Sequence, residues 1–190
     1  MAVLLAQPSR FHALTLFAAT IQFQFFLFTG FPPVFFMSST STYEVRPATP
    51  RDARAIAEIH AKASQAYWRE AIEYCEPQVV VALDAGEVVG FVGFDRSRDK
   101  GTPPTTAEIW ALHVAPSHLG KGVGLALWDA AREGLLEEGC NKVTVWLALA
   151  NERALRFLEL AGFKREMSSL KTVPVGGVKI EEIRLKRSLN

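Results

Sequence analysis

A mixed α/β domain is predicted by three features of the chain. Between Tyr43 and Leu185, apolar runs of strand length and stretches of helical periodicity interleave, in the order strand, helices, hairpin, strand, helix, strand, helix and two strands. One apolar run, Ile109 to Val114, stops at Pro116 and is followed by Gly120, Gly122 and Gly124 and then by Val123, Leu127, Ala131 and Leu135 at helical spacing, with Trp128 and Ala130 beside them. The chain has 190 residues, enough for one domain of ordinary size plus an extension. Its formal net charge is +1 with both signs well mixed, so neither nucleic acid nor a strongly charged partner is expected.

Residues 1–42 read as a hydrophobic extension, and 43–190 as the folded domain. From Phe11 to Phe36 there is no Asp, Glu, Lys or Arg. That run is long enough to span a bilayer, but Gln22 and Gln24 dilute it and Pro32-Pro33 end it. A secretory signal fits less well, since Arg10 is the only early positive charge and no Ala-x-Ala site follows. Two readings are carried forward. In one, residues 1–36 are not part of the working protein, and Met37 opens a polar lead-in, Ser38 to Thr42. In the other they form a membrane anchor, with Arg46, Arg51, Arg54 and Lys62 on its cytoplasmic side. Both place the domain in the cytoplasm.

The elements follow in order. A short strand, Tyr43 to Arg46, leads through Pro47 and Pro50 to a helix with Asp52 near its start and Ala55, Ile56, Ile59, Ala63 and Ala66 on one face. Tyr67 to Tyr74 is a second helix or a continuation, ending before Pro77. Val79–Leu83 and Glu87–Phe94 form a hairpin around Asp84-Ala85-Gly86. Asp95 to Thr106 is polar and expected to be mobile. After the glycine loop and its helix, Lys142–Leu149 is a strand, and Asn151 is placed to cap a helix whose inner face holds Ala154, Leu155, Leu158 and Ala161. Gly162 ends that helix, Phe163 to Leu170 is extended, Val173 to Gly177 turns, and Val178–Leu185 is the last strand. Cys75 and Cys140 share no metal or redox spacing, so a reducing compartment and no metal site are expected.

A strand, a glycine loop and a helix start make an anion site, because the backbone can turn its N–H groups to one point and the helix N-terminus adds unpaired donors. A Walker A loop is excluded, since Lys121 is followed by Gly122 and Val123 and not by Ser or Thr. A Rossmann loop is disfavoured, since the next strand ends in Ala148-Leu149-Ala150-Asn151 without a carboxylate. The run Val114-x-Pro116 with Leu119-Gly120-Lys121-Gly122-Val123-Gly124 resembles the acyl-CoA pyrophosphate loop of the GNAT superfamily of N-acetyltransferases. That loop reads Gln or Arg, two residues, Gly, one residue, then Gly or Ala. Leu119 departs from the pattern at the first position, which removes a polar side chain but no backbone donor. Val45 to Asp52 resembles the family's opening strand and helix, Gly86 to Phe91 its second hairpin, and Asn151 to Phe163 its last helix and following strand, so the likeness covers roughly Tyr43 to Leu185.

The resemblance implies a largely antiparallel mixed sheet with splayed middle strands and helices on both faces. It implies direct acetyl transfer from acetyl-CoA to a primary amine of a small molecule or protein. Leu112, His113 and Val114 would bond the pantetheine arm, Leu119 to Gly124 (Leu119, Gly120, Lys121, Gly122, Val123, Gly124) would hold the diphosphate, and Asn151 would touch the arm as well as cap its helix. Glu108, at the start of the central strand, is the candidate general base; the alternative is an ordinary strand-end carboxylate facing solvent. His113 is a second candidate, placed opposite Glu108 in an unbroken strand but not if a bulge intervenes, with a packing role as its alternative. His118 is expected to be a solvated loop residue. The family's acidic tyrosine is replaced by Leu158, so the thiolate leaves unaided, another donor such as water serves, or catalysis is poor. For the acceptor, Tyr67, Trp68, Glu70, Glu73, Tyr74 and Glu76 suit a cationic amine, or form a plain amphipathic helix. The resemblance leaves open a homodimer, and, through Leu119 and Leu158, an acyl-CoA-binding regulatory module with little turnover.

Overall fold

In the computed structural model, residues 43–61 and 63–189 are described, so the expectations for residues 1–36 fall outside them. The chain runs β1 (Glu44–Pro47), α1 (Ala53–His60), α2 (Gln65–Tyr74), β2 (Gln78–Asp84), β3 (Glu87–Arg96), β4 (Thr106–Val114), α3 (Val123–Glu137), β5 (Lys142–Ala148), α4 (Glu152–Leu160), β6 (Lys164–Val175) and β7 (Val178–Ser188). The strands form one seven-stranded sheet in the order β1-β2-β3-β4-β5-β7-β6. Within it only β4 and β5 run parallel. The expected mixed architecture is present. No helix among the described residues is long and apolar enough to cross a membrane.

Two hydrophobic layers cover the sheet. Val123, Leu127, Trp128, Ala131 and Leu135 of α3 and Ala154, Leu155 and Leu158 of α4 pack with Val92, Phe94, Ile109, Val145 and Leu185 on one face. Ala53 and Ile56 of α1 and Trp68 and Ala71 of α2 pack with Val81, Phe91 and Ala111 on the other. Gly90 sets how closely α3 approaches: a Cβ there would lie 2.9 Å from the His113 carbonyl and 3.0 Å from Val123 Cγ1, so no side chain fits.

Local chemistry explains the helix ends. Ala61, in the left-handed region at φ 57°, separates α1 from α2, and the Ser64 side chain accepts the Tyr67 N–H to start α2. Two expectations are corrected. Asp95 to Thr106 is not a loose stretch: Asp95 and Arg96 end β3, Thr106 opens β4, and between them the Ser97 N–H bonds the Thr106 carbonyl at 2.9 Å and Arg96 donates to the Pro104 carbonyl at 2.6 Å. The proposed turn at Val173 is strand as far as Val175, paired with Val178, so only Gly176 and Gly177 turn.

The entrance to α1 is fixed by charge. Arg46 on β1 grips Asp52 with two hydrogen bonds, at 2.8 and 3.0 Å, and the Thr49 backbone and hydroxyl also donate to that carboxylate. The Arg46 hydrogen bond is the main reason the Asp52 carboxyl sits at about 2, down from 3.8, with burial opposing it. Because the folded value is the lower one, this stabilisation is fully present above pH 4 and drains away as pH falls from about 4 to about 2. Asp52→Asn should therefore lose about 2 kcal/mol at pH 7. It should also flatten the acid limb of the stability curve, read by urea unfolding at pH 7, 4 and 2.5.

Candidate active site

The loop after β4 turns through Pro116–His118, one turn of 3-10 helix, to Leu119. Gly120 and Gly122 then take φ of 77° and 91°, left-handed geometry that a side chain resists. Gly122 caps α3, and its carbonyl accepts the N–H groups of Leu125 and Ala126 at 3.0 and 3.1 Å. The N–H groups of Val123 and Gly124, first in the helix, have no carbonyl within it to bond. Gly124 is helical, and its place for a Cβ lies 3.5 Å from the Phe157 ring and 3.9 Å from Leu112 Cδ2, so it is a packing glycine. Three alternate glycines thus do two different jobs. His118 is not simply solvated: its Nε2 is 3.0 Å from Asp84 Oδ2 and its Nδ1 is 2.9 Å from Ser117 Oγ, which ties the loop to the β2–β3 turn.

Beside this loop the sheet opens. β4 and β5 pair from Thr106↔Lys142 only as far as Ile109↔Val145. The Thr144 hydroxyl donates to the Ala107 carbonyl at 3.0 Å and clamps that closed end. Beyond it, β4 stays on β3 through Val114↔Gly90, and β5 stays on β7 through Ala148↔Glu182. The facing edges, Trp110–Val114 and Trp146–Ala148, therefore share no ladder. Asn151 stands at the far rim, its Oδ1 accepting the Ala154 N–H at 3.2 Å as the expected cap.

A bulge decides which side chains face the acceptor side. Gly93 pairs with Ala111 but Phe94 with Ile109, so Trp110 is an extra residue in β4. Ala107 and Ile109 pack with α3, whereas Ala111 packs with α1 and α2. Alternation is thereby reset, and Glu108 and His113 share the α1/α2 face, unlike in an unbroken strand. His113 is 4% exposed, stacks on Phe91 at 5.4 Å, and lies 4.6 Å from the His60 ring. Glu108 is not a solvent-facing strand end. It is 3% exposed, and its Oε1 accepts Arg98 Nη2 at 2.6 Å while its Oε2 accepts the Arg98 backbone N–H at 3.1 Å.

Several neighbours of Glu108 carry no signature in the sequence. The Arg98 guanidinium lies 3.8 Å over the Trp110 ring, and Asp99 accepts Trp146 Nε1 at 2.9 Å and Arg184 Nη1 at 2.8 Å. Residues 98 and 99 thus strap the β3–β4 connection across the closed end of the gap. In α2, Tyr67 is half-buried and Trp68 buried, while Glu70, Glu73 and Tyr74 face solvent, as does Glu76 just after the helix. Burial pushes the Tyr67 hydroxyl above its usual value, against the charge of nearby Arg98. Leu158 is buried in the α3/α4 layer. Cys140 is buried too, and desolvation pushes its thiol up, away from a nucleophile's range.

Comparison with known proteins agrees with this geometry. The N-acetyltransferase of Staphylococcus aureus Mu50 superposes with a TM-score of 0.67 at 18% identity, covering 79% of this chain and all of that one. A GNAT superfamily phosphinothricin acetyltransferase from Sinorhizobium meliloti, solved with acetyl-CoA, gives a TM-score of 0.65 at 21% identity over 78% of this chain and 89% of its own. Among curated relatives, a mycothiol acetyltransferase of Propionibacterium freudenreichii is 37% identical over 97 residues, 50% of this chain; the chain spans about 30% of that relative's length. The model of the acetyltransferase (GNAT) family matches residues 42–163, which takes in the opened β4–β5 edge, the glycine loop and α4 up to Phe163, and the chain belongs to that family.

Proposed function

We propose that this chain moves an acetyl group from acetyl-CoA directly to a primary amine of a small molecule or protein. The observation that carries the reading is the end of the β4–β5 ladder at Ile109 and Val145, directly beside the loop that opens α3. Exposed strand edges inside a sheet call for a partner, and an extended amide-bearing arm supplies one in the manner of an added strand. In this reading Leu112, His113, Val114 and Asn151 border the arm, and the loop Leu119 to Gly124 holds the diphosphate, chiefly through the N–H groups of Gly120, Gly122, Val123 and Gly124, since those of Leu119 and Lys121 donate to the Pro116 and His118 carbonyls. The diphosphate end lies at the C-terminal end of β4, so the arm runs back toward Ile109 and the thioester comes to the closed end, near Trp110 and Trp146.

A β4 backbone N–H there would hold the carbonyl oxygen as charge develops on it. The protein's other task is to align the amine and take its proton, since an alkylammonium has a pKa of about 10.4. Glu108 is the proposed acceptor of that proton, through water, with Arg98 fixing its position. No tyrosine stands in α4, so that helix offers the departing thiolate no phenolic acid. The acceptor would approach over Tyr67 and Trp110.

Acetyl-CoA at about 100 times its Kd should raise Tm by about 5–10 °C, and a free-thiol assay over a panel of primary amines should show turnover. Shift with turnover supports the enzyme. Shift without turnover supports the acyl-CoA-binding module, which Leu119 and the buried Leu158 favour. Neither response defeats both readings.

A further inference from the structure

On the α1/α2 face, β5, β6 and β7 contribute a second cluster of charge around Trp146. Two of its three cations are locked. Arg184 bonds Asp99 at 2.8 Å and Glu166 at 2.6 Å, and Lys186 bonds Glu166 at 2.7 Å. Lys171 is held differently. Its Nζ lies 3.6 Å over the centre of the Trp146 ring, and its carboxylate neighbour, Glu182 Oε2, is 3.9 Å away, an ion pair beyond hydrogen-bond distance. Glu182 is itself 1% exposed, so a buried carboxylate sits beside this amine. Trp146 is the first β5 residue past the last β4–β5 pair, so the ring marks the closed end of the gap.

We propose that Lys171 is an acetyl acceptor within the chain: the protein acetylates its own Lys171. The inference rests on the acetyl-CoA reading above, which brings the thioester to the end of the gap where this amine is parked. Lys171 first gives up one proton, to Glu182 or to water. The neutral Nζ then attacks the thioester carbonyl carbon, the N–C bond forms and the C–S bond breaks. Coenzyme A departs as a thiolate that takes up a proton, and the second Nζ proton is lost as the amide forms. The net change is one acetyl-lysine, one CoA thiol and one released proton. The product has no charge, so it gives up both the ring contact and the Glu182 pairing and no longer occupies the end of the gap as a cation.

The test uses the full chain and isotopically labelled acetyl-CoA, with peptide mass spectrometry over time. The expected result is label at Lys171 at least about ten times faster than at the exposed strand lysines Lys164 and Lys179, because a positioned amine reacts as if highly concentrated. The fraction of Lys171 labelled per unit time should not change with protein concentration, as a reaction within one molecule requires. It should fall to the background of Lys164 in heat-unfolded protein. K171R should bind acetyl-CoA normally and take no label at that position. Label at Lys171 no faster than at Lys164, or a fractional labelling rate that rises in proportion to protein concentration, overturns the proposal. If CoA shifts Tm and free amines are acetylated while Lys171 stays unlabelled, this inference falls alone. If CoA does not bind, the acetyl-CoA reading falls with it.

Discussion

Gly122→Val should weaken acetyl-CoA binding by about tenfold or more while leaving the domain folded. At φ 91° the residue sits where a Cβ meets the backbone of its own residue, although nothing else lies within 4 Å. The penalty is therefore conformational and not steric crowding, on the order of 1–3 kcal/mol for a non-glycine residue, and more for a β-branched one than for Ala. The loop has two ways to respond. It can hold the strained turn, which lowers Tm by about 2–4 °C per kcal/mol in a domain of this size. Or it can relax toward negative φ and swing the N–H groups of Gly122 and Val123 away from their present direction, and a diphosphate bound there would lose both donors.

A control separates strain from binding. Gly139, just past the far end of α3, has φ 76° and likewise nothing within 4 Å of where a Cβ would stand. Gly139→Val should lower Tm to a similar extent and leave the Kd alone. Isothermal titration of both variants reads the difference. Equal Kd values for Gly122→Val and the unmodified chain would remove the diphosphate from this loop.

The glycine loop was legible because its cues are local. Pro116 ends a strand, Gly120 and Gly122 have φ that other residues avoid, and Val123 to Leu135 shows helical spacing at once. Asn151 was legible for the same reason, since its bond to Ala154 spans three residues. What could not be read was settled by partners distant in the chain. The run Ile109–Val114 is apolar on both faces, apart from His113, so no break in alternation marks Trp110 as the extra residue; only the register against β3 reveals it. The polarity of Asp95 to Thr106 suggests a mobile stretch, yet Arg98 finds Glu108 ten residues on, and Asp99 finds Arg184 at a separation of 85. Lys171 over Trp146 likewise needs β7 between β5 and β6, an order that the strand pattern alone does not give.

Glu108→Gln should lower kcat by about a hundredfold near neutral pH and leave the acetyl-CoA Kd unchanged. Glu108 lies on the acceptor face two residues before Trp110, and the bulge at Trp110 brings His113 onto that same face. Its ion pair with Arg98 cuts both ways. The guanidinium holds the carboxylate in one place, but it also occupies lone pairs that a water relay would use. A carboxylate has about four such positions, so a water can still be accommodated. Arg98 variants distinguish a base from an anchor. If Glu108 takes the proton, Glu108→Gln should cost far more kcat than Arg98→Lys, which retains a positive charge beside the carboxylate in altered geometry. If Glu108 serves only to anchor the strap over Trp110, then Glu108→Gln and Arg98→Ala should raise the amine KM alike and leave kcat near that of the unmodified chain. That second pattern would transfer the proton step to another group on the same face, and His113, brought there by the same bulge, is the first to test.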